Sequence, residues 1–344
     1  MTLTLSKDNS FLTEKQKAPA FSFFFRVHSG SEKQLHDAGH MRSKCHEVIK
    51  NASLQSSLTE ELIKKVDQEI EKLDLHSGAK SFGIFVSPEH ATTTLYYTYL
   101  PERQYKGEYF SALESLYAEQ QSKPYALFVF EPRAVQVFKG QGDHLEAMEA
   151  SPELEQVCKV YKHKDSTHAD KDGKSHKGEH DVKWTKELLD AISALCAKAK
   201  SPAVLVGNSL IAATEEDFKK SSLQCAAVVE EVVHASGGSF QTEYGAKIAE
   251  LIQANNTKEW LSKCNEAASA HKLVTGNDEM IACVVEGRAA KLLLETPAWD
   301  STGLLEFSAL HEIAREMLAK HGSVEFVTKN TLEKWGGQAM LLRY

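Results

Sequence analysis

The sequence predicts an α/β protein built from three consecutive domains, at residues 1–120, 121–238 and 239–344. With 344 residues, the chain is longer than one hydrophobic core usually organises. Short apolar or β-branched runs alternate with segments of helical periodicity, a pattern typical of sheets covered by helices. This alternation restarts after polar stretches at 120–123 and 236–239. We expect the last domain to be an α/β/α sandwich.

The first domain is predicted from an aromatic strand, a helix and further strands. Residues 21–27 form an aromatic run of strand length. A helix is expected from Ser57 to Leu73, because Ser57 and Glu60 form a capping-box pattern and apolar residues recur on one face. The remaining expected elements are strands at 82–86 and 92–99 and a helix at 108–120.

The second domain opens with an expected hairpin, whose strands lie at 125–130 and 134–138. A strand at 157–161 and a helix at 184–199 are expected on either side of a polar segment, Lys162 to Asp181. This segment contains no large apolar residue, so it predicts an exposed loop. Further strands are expected at 203–206 and 226–233.

The third domain alternates helices and strands. Asn277 is the expected N-cap of a short helix, and Gly287 stands where a left-handed C-terminal cap is needed. Gly322 is expected to cap a helix from Leu304 to Lys320. The other expected elements are helices at 244–254 and 258–270 and strands at 290–294, 324–327 and 339–342.

Charge and composition exclude several classes of protein. The 40 basic and 48 acidic side chains give a net charge of −8, and each domain is slightly acidic, so we expect no DNA partner. No apolar run approaches the roughly 20 residues that span a bilayer, so no membrane partner is expected either. The six cysteines are scattered without a CxxC pair, and no signal sequence is evident, which indicates a cytoplasmic protein with reduced thiols.

Motifs of common enzyme classes are missing from the sequence. It contains no GxGxxG after a predicted strand, no GxxxxGK[ST], no HExxH and no GxSxG. We therefore predict no cofactor, and the residues alone identify no catalytic group.

Four stretches carry a family resemblance. WGGQAMLLRY at 335–344 resembles the closing strand of domain three of the class-1 release factors of eukaryotes and archaea, and of their rescue relative Pelota. MIACVVEGRAAKLLLE at 280–295 is similar to a helix, glycine cap and strand of that domain. PAVLVGNSLI at 202–211 and EEVVHASGG at 230–238 resemble the end of the family's middle domain.

This resemblance covers residues 122–344 and implies a fold and a setting. It implies a middle domain similar to the ribonuclease-H-like domain of release factors, and a last domain similar to their domain three. The first 120 residues resemble instead the N-terminal region of a bacterial group related to these factors. The implied partner is the ribosome or tRNA.

The tripeptide Gly336-Gly337-Gln338 repeats the catalytic GGQ of release factors in a different place. In the family GGQ occupies an exposed loop of the middle domain, whereas here it precedes the last predicted strand. We interpret Gly336 and Gly337 as a structural turn. The position that corresponds to the catalytic loop is the segment Lys162 to Asp181, which has no GGQ. We therefore predict no GGQ-dependent hydrolysis.

The segment from Lys162 to Asp181 has two interpretations. It is either a mobile linker or a tip that becomes ordered against RNA. Its four histidines also raise the possibility of a metal site, but Gly178 and the absence of a nearby cysteine argue against one, so no metal is predicted. The candidate RNA-binding residues are Lys162, Lys164, Lys171, Lys174, His176 and Lys177.

Three hypotheses of function follow. The first is a release-factor-related protein that associates with ribosome or tRNA, in termination, rescue or stress, without being an enzyme. The second is a peptidyl-tRNA hydrolase with a different loop chemistry. The third is a protein-binding scaffold outside translation, which would bind a partner through its C-terminal domain.

Overall fold

In a computed structural model, the described strands form three sheets covered by helices, as the predicted α/β class requires. The structure describes residues 11–16, 19–28, 31–130, 135–165, 177–207, 211, 217, 225–230, 239–296, 304–305 and 308–344. No helix in these ranges is long and apolar enough to cross a membrane. The chain divides into a terminal unit, made of residues 1–122 and 256–344, and a middle unit, made of residues 123–255.

The first sheet of the terminal unit has the strand order β12-β4-β1-β2-β3. Its strands are β1 (Ala20–Arg26), β2 (Ser81–Val86), β3 (Ala91–Tyr96), β4 (Arg103–Gly107) and β12 (Leu304–Leu305). All neighbours are antiparallel except β12 and β4. Phe21, Phe23 and Phe25 alternate to one face of β1 and pack on helices α1 (Ser31–Asn51) and α2 (Ser56–Glu71).

The second sheet of the terminal unit has the order β10-β14-β11-β13. Its strands are β10 (Leu273–Val274), β11 (Ala289–Glu295), β13 (Ser323–Val327) and β14 (Gln338–Leu342). Strand β11 is parallel to β13 and antiparallel to β14. One face of this sheet packs on Trp260 and Cys264 of helix α6 (Ser239–Ser269).

Three helices lie against the other face of the second sheet, and they belong to the same core as the first sheet. They are α3 (Leu113–Gln121), α7 (Asn277–Val285) and α8 (Ala309–Ala319). Phe24 and Phe85 of the first sheet share one hydrophobic cluster with Leu292 and Phe326 of the second. The two sheets are therefore held by a common core, although more than 200 residues separate parts of it in the chain.

The sheet of the middle unit has the order β7-β6-β5-β8-β9. Its strands are β5 (Pro124–Phe130), β6 (Val135–Gln141), β7 (His144–Met148), β8 (Ala203–Gly207) and β9 (Cys225–Glu230). β5, β6 and β7 are antiparallel, whereas β5, β8 and β9 are parallel. Helices α4 (Pro152–Asp165) and α5 (Lys177–Ala199) cover one face, and the first half of α6 covers the other. The predicted hairpin is confirmed; its turn, 131–134, lies outside the described residues.

The strand predicted at 157–161 is wrong, because these residues belong to α4. Leu154, Val157 and Cys158 follow helical spacing and are buried with Trp184. A short apolar run cannot be assigned to strand or helix by periodicity alone, which explains the error.

The exposed loop predicted from Lys162 to Asp181 is wrong at both ends. Helix α4 continues to Asp165, and α5 already begins at Lys177. A helix supplies its own backbone hydrogen bonds, so polar residues can continue it without apolar neighbours in the sequence. The central part of the predicted loop, 166–176, lies outside the described residues.

Several predicted helix limits also differ from the structure. α2 begins at Ser56 with Gln55 as N-cap and has no side-chain cap, so the capping box of Ser57 is wrong. Asn277 is the first residue of α7, and Gly276 is its N-cap. The helices expected at 244–254 and 258–270 are one helix, α6. The helix expected from Leu304 begins at Ala309, because residues 304–305 pair with β4.

Two helix ends show how differently glycines can act. Gly287 has φ +73°, and the N–H of Arg288 donates to the carbonyl of Cys283 at 2.9 Å, which confirms the left-handed cap after α7. After α8 the left-handed residue is His321, with φ +59°, and not Gly322. A Cβ atom on Gly322 would lie 2.6 Å from the Met317 methyl carbon, so this glycine provides space.

Replacing His321 by Gly should stabilise the protein. A non-glycine residue in the left-handed region costs about 1 kcal/mol, and glycine removes this cost. We expect an increase of about 0.5–1 kcal/mol in the free energy of unfolding, measured by chemical denaturation. Gly287→Ala is the opposite change at an equivalent cap and should destabilise the protein. A lower free energy of unfolding in His321→Gly would show that His321 is not strained in the left-handed conformation.

Candidate functional site

The structure describes only part of the predicted RNA-binding segment. Lys162 and Lys164 lie in the last turn of α4, and Lys177 is the first residue of α5. The other three candidates, Lys171, Lys174 and His176, lie outside the described residues.

Helices α4 and α5 are antiparallel neighbours, which brings the described lysines to the same end of the pair. The indole N–H of Trp184 in α5 donates to the carbonyl of Val157 in α4 at 3.3 Å. At the opposite end, Glu153 lines the same groove as Lys198. The end of α4 and the start of α5 therefore lie together.

The Gly-Gly turn joins a short 3-10 helix, Glu333–Trp335, to strand β14. Gly336 has φ +76° and Gly337 has φ +82°, values that favour glycine. The N–H of Gly337 donates to the carbonyl of Leu332 at 3.1 Å, and the N–H of Glu295 donates to the carbonyl of Gly337 at 3.0 Å. Both glycines thus lie in a turn that begins a strand of the second sheet.

The side chain of Gln338 is bound within the terminal unit. Its Nε2 donates to the carbonyl of Thr275 at 3.2 Å and to Oδ1 of Asn277 at 2.6 Å. These bonds use both amide hydrogens and connect β14 to the start of α7. Asn277, the first residue of α7, thus accepts a hydrogen bond from β14 with its side-chain oxygen. This geometry favours a structural role for the tripeptide over the positioning of water.

A buried polar cluster joins β4, α3 and α8. The hydroxyl of Tyr105 donates to one oxygen of Glu114, and Ser111 donates to the other at 2.6 Å. Arg103 donates to the Tyr105 hydroxyl at 3.1 Å. The ring of His311 lies 5.1 Å from that of Tyr105. Burial, together with Glu114, raises the pKa of Tyr105 well above its usual value.

This cluster serves the fold and gives no access to a substrate. Arg103 is 8% exposed, and Tyr105 and Glu114 are each 1% exposed. Removing one hydrogen-bond partner of a buried carboxylate strongly destabilises a protein. The cluster therefore stabilises the contact of β4, α3 and α8 only when all its members are present.

The described part of the chain holds no metal centre, and five of its cysteines are buried thiols. No group of three or more metal-binding side chains is found there. Cys45, Cys158, Cys196, Cys264 and Cys283 are free and buried. Burial raises the pKa of Cys158 to about 12 and that of Cys264 to about 11, which keeps both thiols protonated and unreactive.

Arg343 has a role that the sequence did not reveal. Its guanidinium donates to the carbonyls of Gly287 at 3.3 Å and Lys320 at 3.1 Å, at the ends of α7 and α8. Nζ of Lys320 also donates to the carbonyls of Val284 and Val285 at the end of α7. Cations at helix C-termini are favourable, so these residues tie the two helices to the end of β14.

Comparisons with known proteins give distant structural neighbours only. No family model matches the chain, and no curated protein matches it. One neighbour is the crystal structure of the archaeal translation termination factor aRF1. Its sequence is 13% identical to this one, the match covers 97% of this chain and 95% of the aRF1 chain, and the TM-score is 0.27. A model of ribosome-bound archaeal Pelota is 12% identical over 77% and 72%, with a TM-score of 0.43.

A third neighbour is Dom34 of S. cerevisiae, described as a translation termination-like factor that is involved in RNA quality control and interacts with Hbs1. It is 13% identical over 79% of this chain and 83% of that chain, with a TM-score of 0.40. Scores this low assign neither a family nor a function to the chain.

Two substitutions test the structural role of the Gly-Gly-Gln turn. Gln338→Ala should lower the free energy of unfolding by about 1 kcal/mol, because its side chain no longer donates two hydrogen bonds. Gly337→Ala should cost about 1 kcal/mol or more, because its φ is positive. Both are measured by chemical denaturation against Gln68→Ala, which changes an exposed glutamine of α2. A fully stable Gln338→Ala protein would contradict this role.

His311 should make stability depend on pH. Burial lowers its pKa below 6.5, and its Nδ1 accepts the backbone N–H of Ser308 at 3.3 Å. As the pH falls, His311 is therefore protonated in the unfolded chain before it is protonated in the folded protein. The free energy of unfolding is at its full value above pH 6.5 and decreases as the pH falls below it.

We expect the His311→Gln protein to lose less stability than the wild type between pH 7.5 and 5.5, since glutamine accepts the same bond without titrating. Other histidines are common to both proteins, so their titration largely cancels. Chemical denaturation at each pH measures the free energy of unfolding of both proteins. Equal losses of stability in the two proteins would refute the role of His311.

Proposed function

We propose that this chain is a release-factor-related protein that associates with the ribosome or with tRNA and does not use a GGQ loop for hydrolysis. The observation that carries the proposal is the order of four sequence stretches that resemble release factors. Local structure supports it: 280–295 comprises most of α7, its glycine cap and β11, and 335–344 comprises a Gly-Gly turn and β14. Scattered thiols and the bacterial resemblance of residues 1–120 favour a bacterial, cytoplasmic protein.

The RNA contact is proposed for the end of the α4–α5 pair. Lys162, Lys164 and Lys177 lie on the helix turns that flank 166–176. The segment also contains several acidic residues, so its contact with phosphates should be local rather than a broad basic surface. The sequence resemblance implies that this segment corresponds to the catalytic loop of release factors.

The geometry gives less support to a peptidyl-tRNA hydrolase. The Gln338 amide is committed to Thr275 and Asn277. Five of the cysteines are buried, and the polar cluster around Glu114 is closed to solvent. We therefore propose a binding protein and not an enzyme.

A second candidate function, a scaffold that binds a protein through its C-terminal region, is favoured by one observation. Ile281 and Val285 lie one helical turn apart on α7 and are 38% and 64% exposed. Tyr344 is 69% exposed and follows Arg343, which contacts the end of α7. Exposed apolar side chains that lie together are typical of protein contact sites.

Co-sedimentation with ribosomes at low and moderate salt tests the first proposal. Changing Lys162, Lys164, Lys171, Lys174 and Lys177 to Ala should weaken binding and make it less dependent on salt. The slope of the logarithm of the binding constant against the logarithm of the salt concentration should become shallower by up to about 0.7–0.9 for each phosphate that is no longer neutralised. The matched control changes five exposed lysines outside α4 and α5: Lys50, Lys64, Lys258, Lys272 and Lys329. Equal effects of the two sets would refute a contact at this segment, and no binding would refute the function.

A peptidyl-tRNA release assay on stalled ribosomes separates binding from hydrolysis. We expect no release of peptide, with a true release factor as positive control. Release that is abolished by deleting residues 171–180 would replace this proposal by the hydrolase.

A further inference from the structure

A groove of about 660 Å³ runs between α4 and α5 on the middle unit. We call it the α4–α5 groove. Its lining residues are Ser151, Glu153, Gln156 and Val157 on one side, and Glu187, Asp190, Ala191, Ala194, Leu195 and Lys198 on the other.

The floor of the groove is apolar and mostly small. Val157 and Ala191 are buried, Leu195 is half-buried, and Ala194 is exposed. Small side chains let a neighbouring backbone approach closely, and helices pack when the ridges of one enter the groove between side chains of another. The lining of α5 from Glu187 to Lys198 spans about 16 Å, or three helical turns. Such a trough accommodates about three turns of a partner helix.

The rim of the groove is acidic. Glu153 and Asp190 face a single cation, Lys198, and Glu187 adds a third acidic residue to the lining. Glu153 on α4 and Asp190 on α5 stand on opposite sides of the apolar floor. They would repel the phosphates of RNA and attract lysine or arginine side chains.

We propose that the α4–α5 groove binds a basic amphipathic helix of a partner protein. The helix places a stripe of small and medium apolar residues on Val157, Ala191, Ala194 and Leu195. Its lysines or arginines lie along both edges of the stripe, beside the rim carboxylates. This is the helix-in-groove mode of recognition, with charge setting the choice of partner.

This proposal goes beyond the ribosomal function and does not depend on it. The groove lies at the opposite end of the helix pair from Lys162 and Lys177, and none of its lining residues belongs to the segment 162–181. A chain that failed to bind ribosomes would still be expected to bind such a helix, and the reverse holds too.

Fluorescence anisotropy with the full chain tests it. The probe is a labelled 17-residue peptide of Leu, Ala and Lys, with the apolar residues on one helical stripe. A second peptide has the same composition in scrambled order. We expect saturable, salt-sensitive binding of the striped peptide only. Absence of saturable binding up to millimolar peptide, or equal binding of the scrambled peptide, would overturn the proposal.

Matched variants locate the binding site. Glu153→Lys should weaken binding about fivefold through the rim, whereas Glu155→Lys, on the same helix but outside the lining, should not. Ala194→Trp should fill the floor and weaken binding about tenfold, whereas Ala197→Trp should not. Circular dichroism confirms that each variant is folded.

Equal effects within either pair would overturn the site. A second copy of this chain is the competing occupant. Dimerisation in sedimentation equilibrium that Ala194→Trp abolishes, without binding of the peptide, would assign the groove to self-association and overturn the proposal.

Discussion

One layer of helices covers two sheets in the terminal unit, and most of that unit depends on it. Each sheet has an apolar face that must be buried, and α3, α7 and α8 lie between these faces. Phe24 and Phe85 enter the layer from the first sheet, Leu292 and Phe326 from the second. The hydrophobic effect therefore requires residues 1–122 and 256–344 to fold together, because either part alone would expose a large apolar surface.

Polar contacts give this core its specific arrangement. The Gln120 side chain both donates to the carbonyl and accepts from the N–H of Phe326, each at 2.6 Å, and so pairs the outer edge of β13. Glu114 joins β4 to α3, and His311 brings the start of α8 beside Tyr105. An unpaired strand edge or a buried carboxylate without partners is costly, so these bonds favour one packing over alternatives.

The Gly-Gly-Gln turn and the two proposed binding sites lie in different units of the molecule. Gln338 belongs to a strand of the terminal unit, and its amide supports α7. The middle unit carries the lysines near 166–176 at one end of α4 and α5 and an acidic groove at the other. The proposed contact with RNA and the proposed contact with a helix therefore lie at different ends of one helix pair and share no residue.

The sequence by itself determined the α/β class, most strands and the special role of Gly287, because period-two and helical patterns and a required positive φ are local properties. It could not distinguish helix from strand at 157–161, since four or five apolar residues satisfy both. It also missed α1 and β4. Three contacts became known only from the tertiary structure: residues 304–305 pair with β4, Arg343 donates to the carbonyls at two helix ends, and Gln338 donates to Asn277. Each of these contacts joins residues far apart in the chain, and which distant polar groups meet depends on how the apolar faces pack.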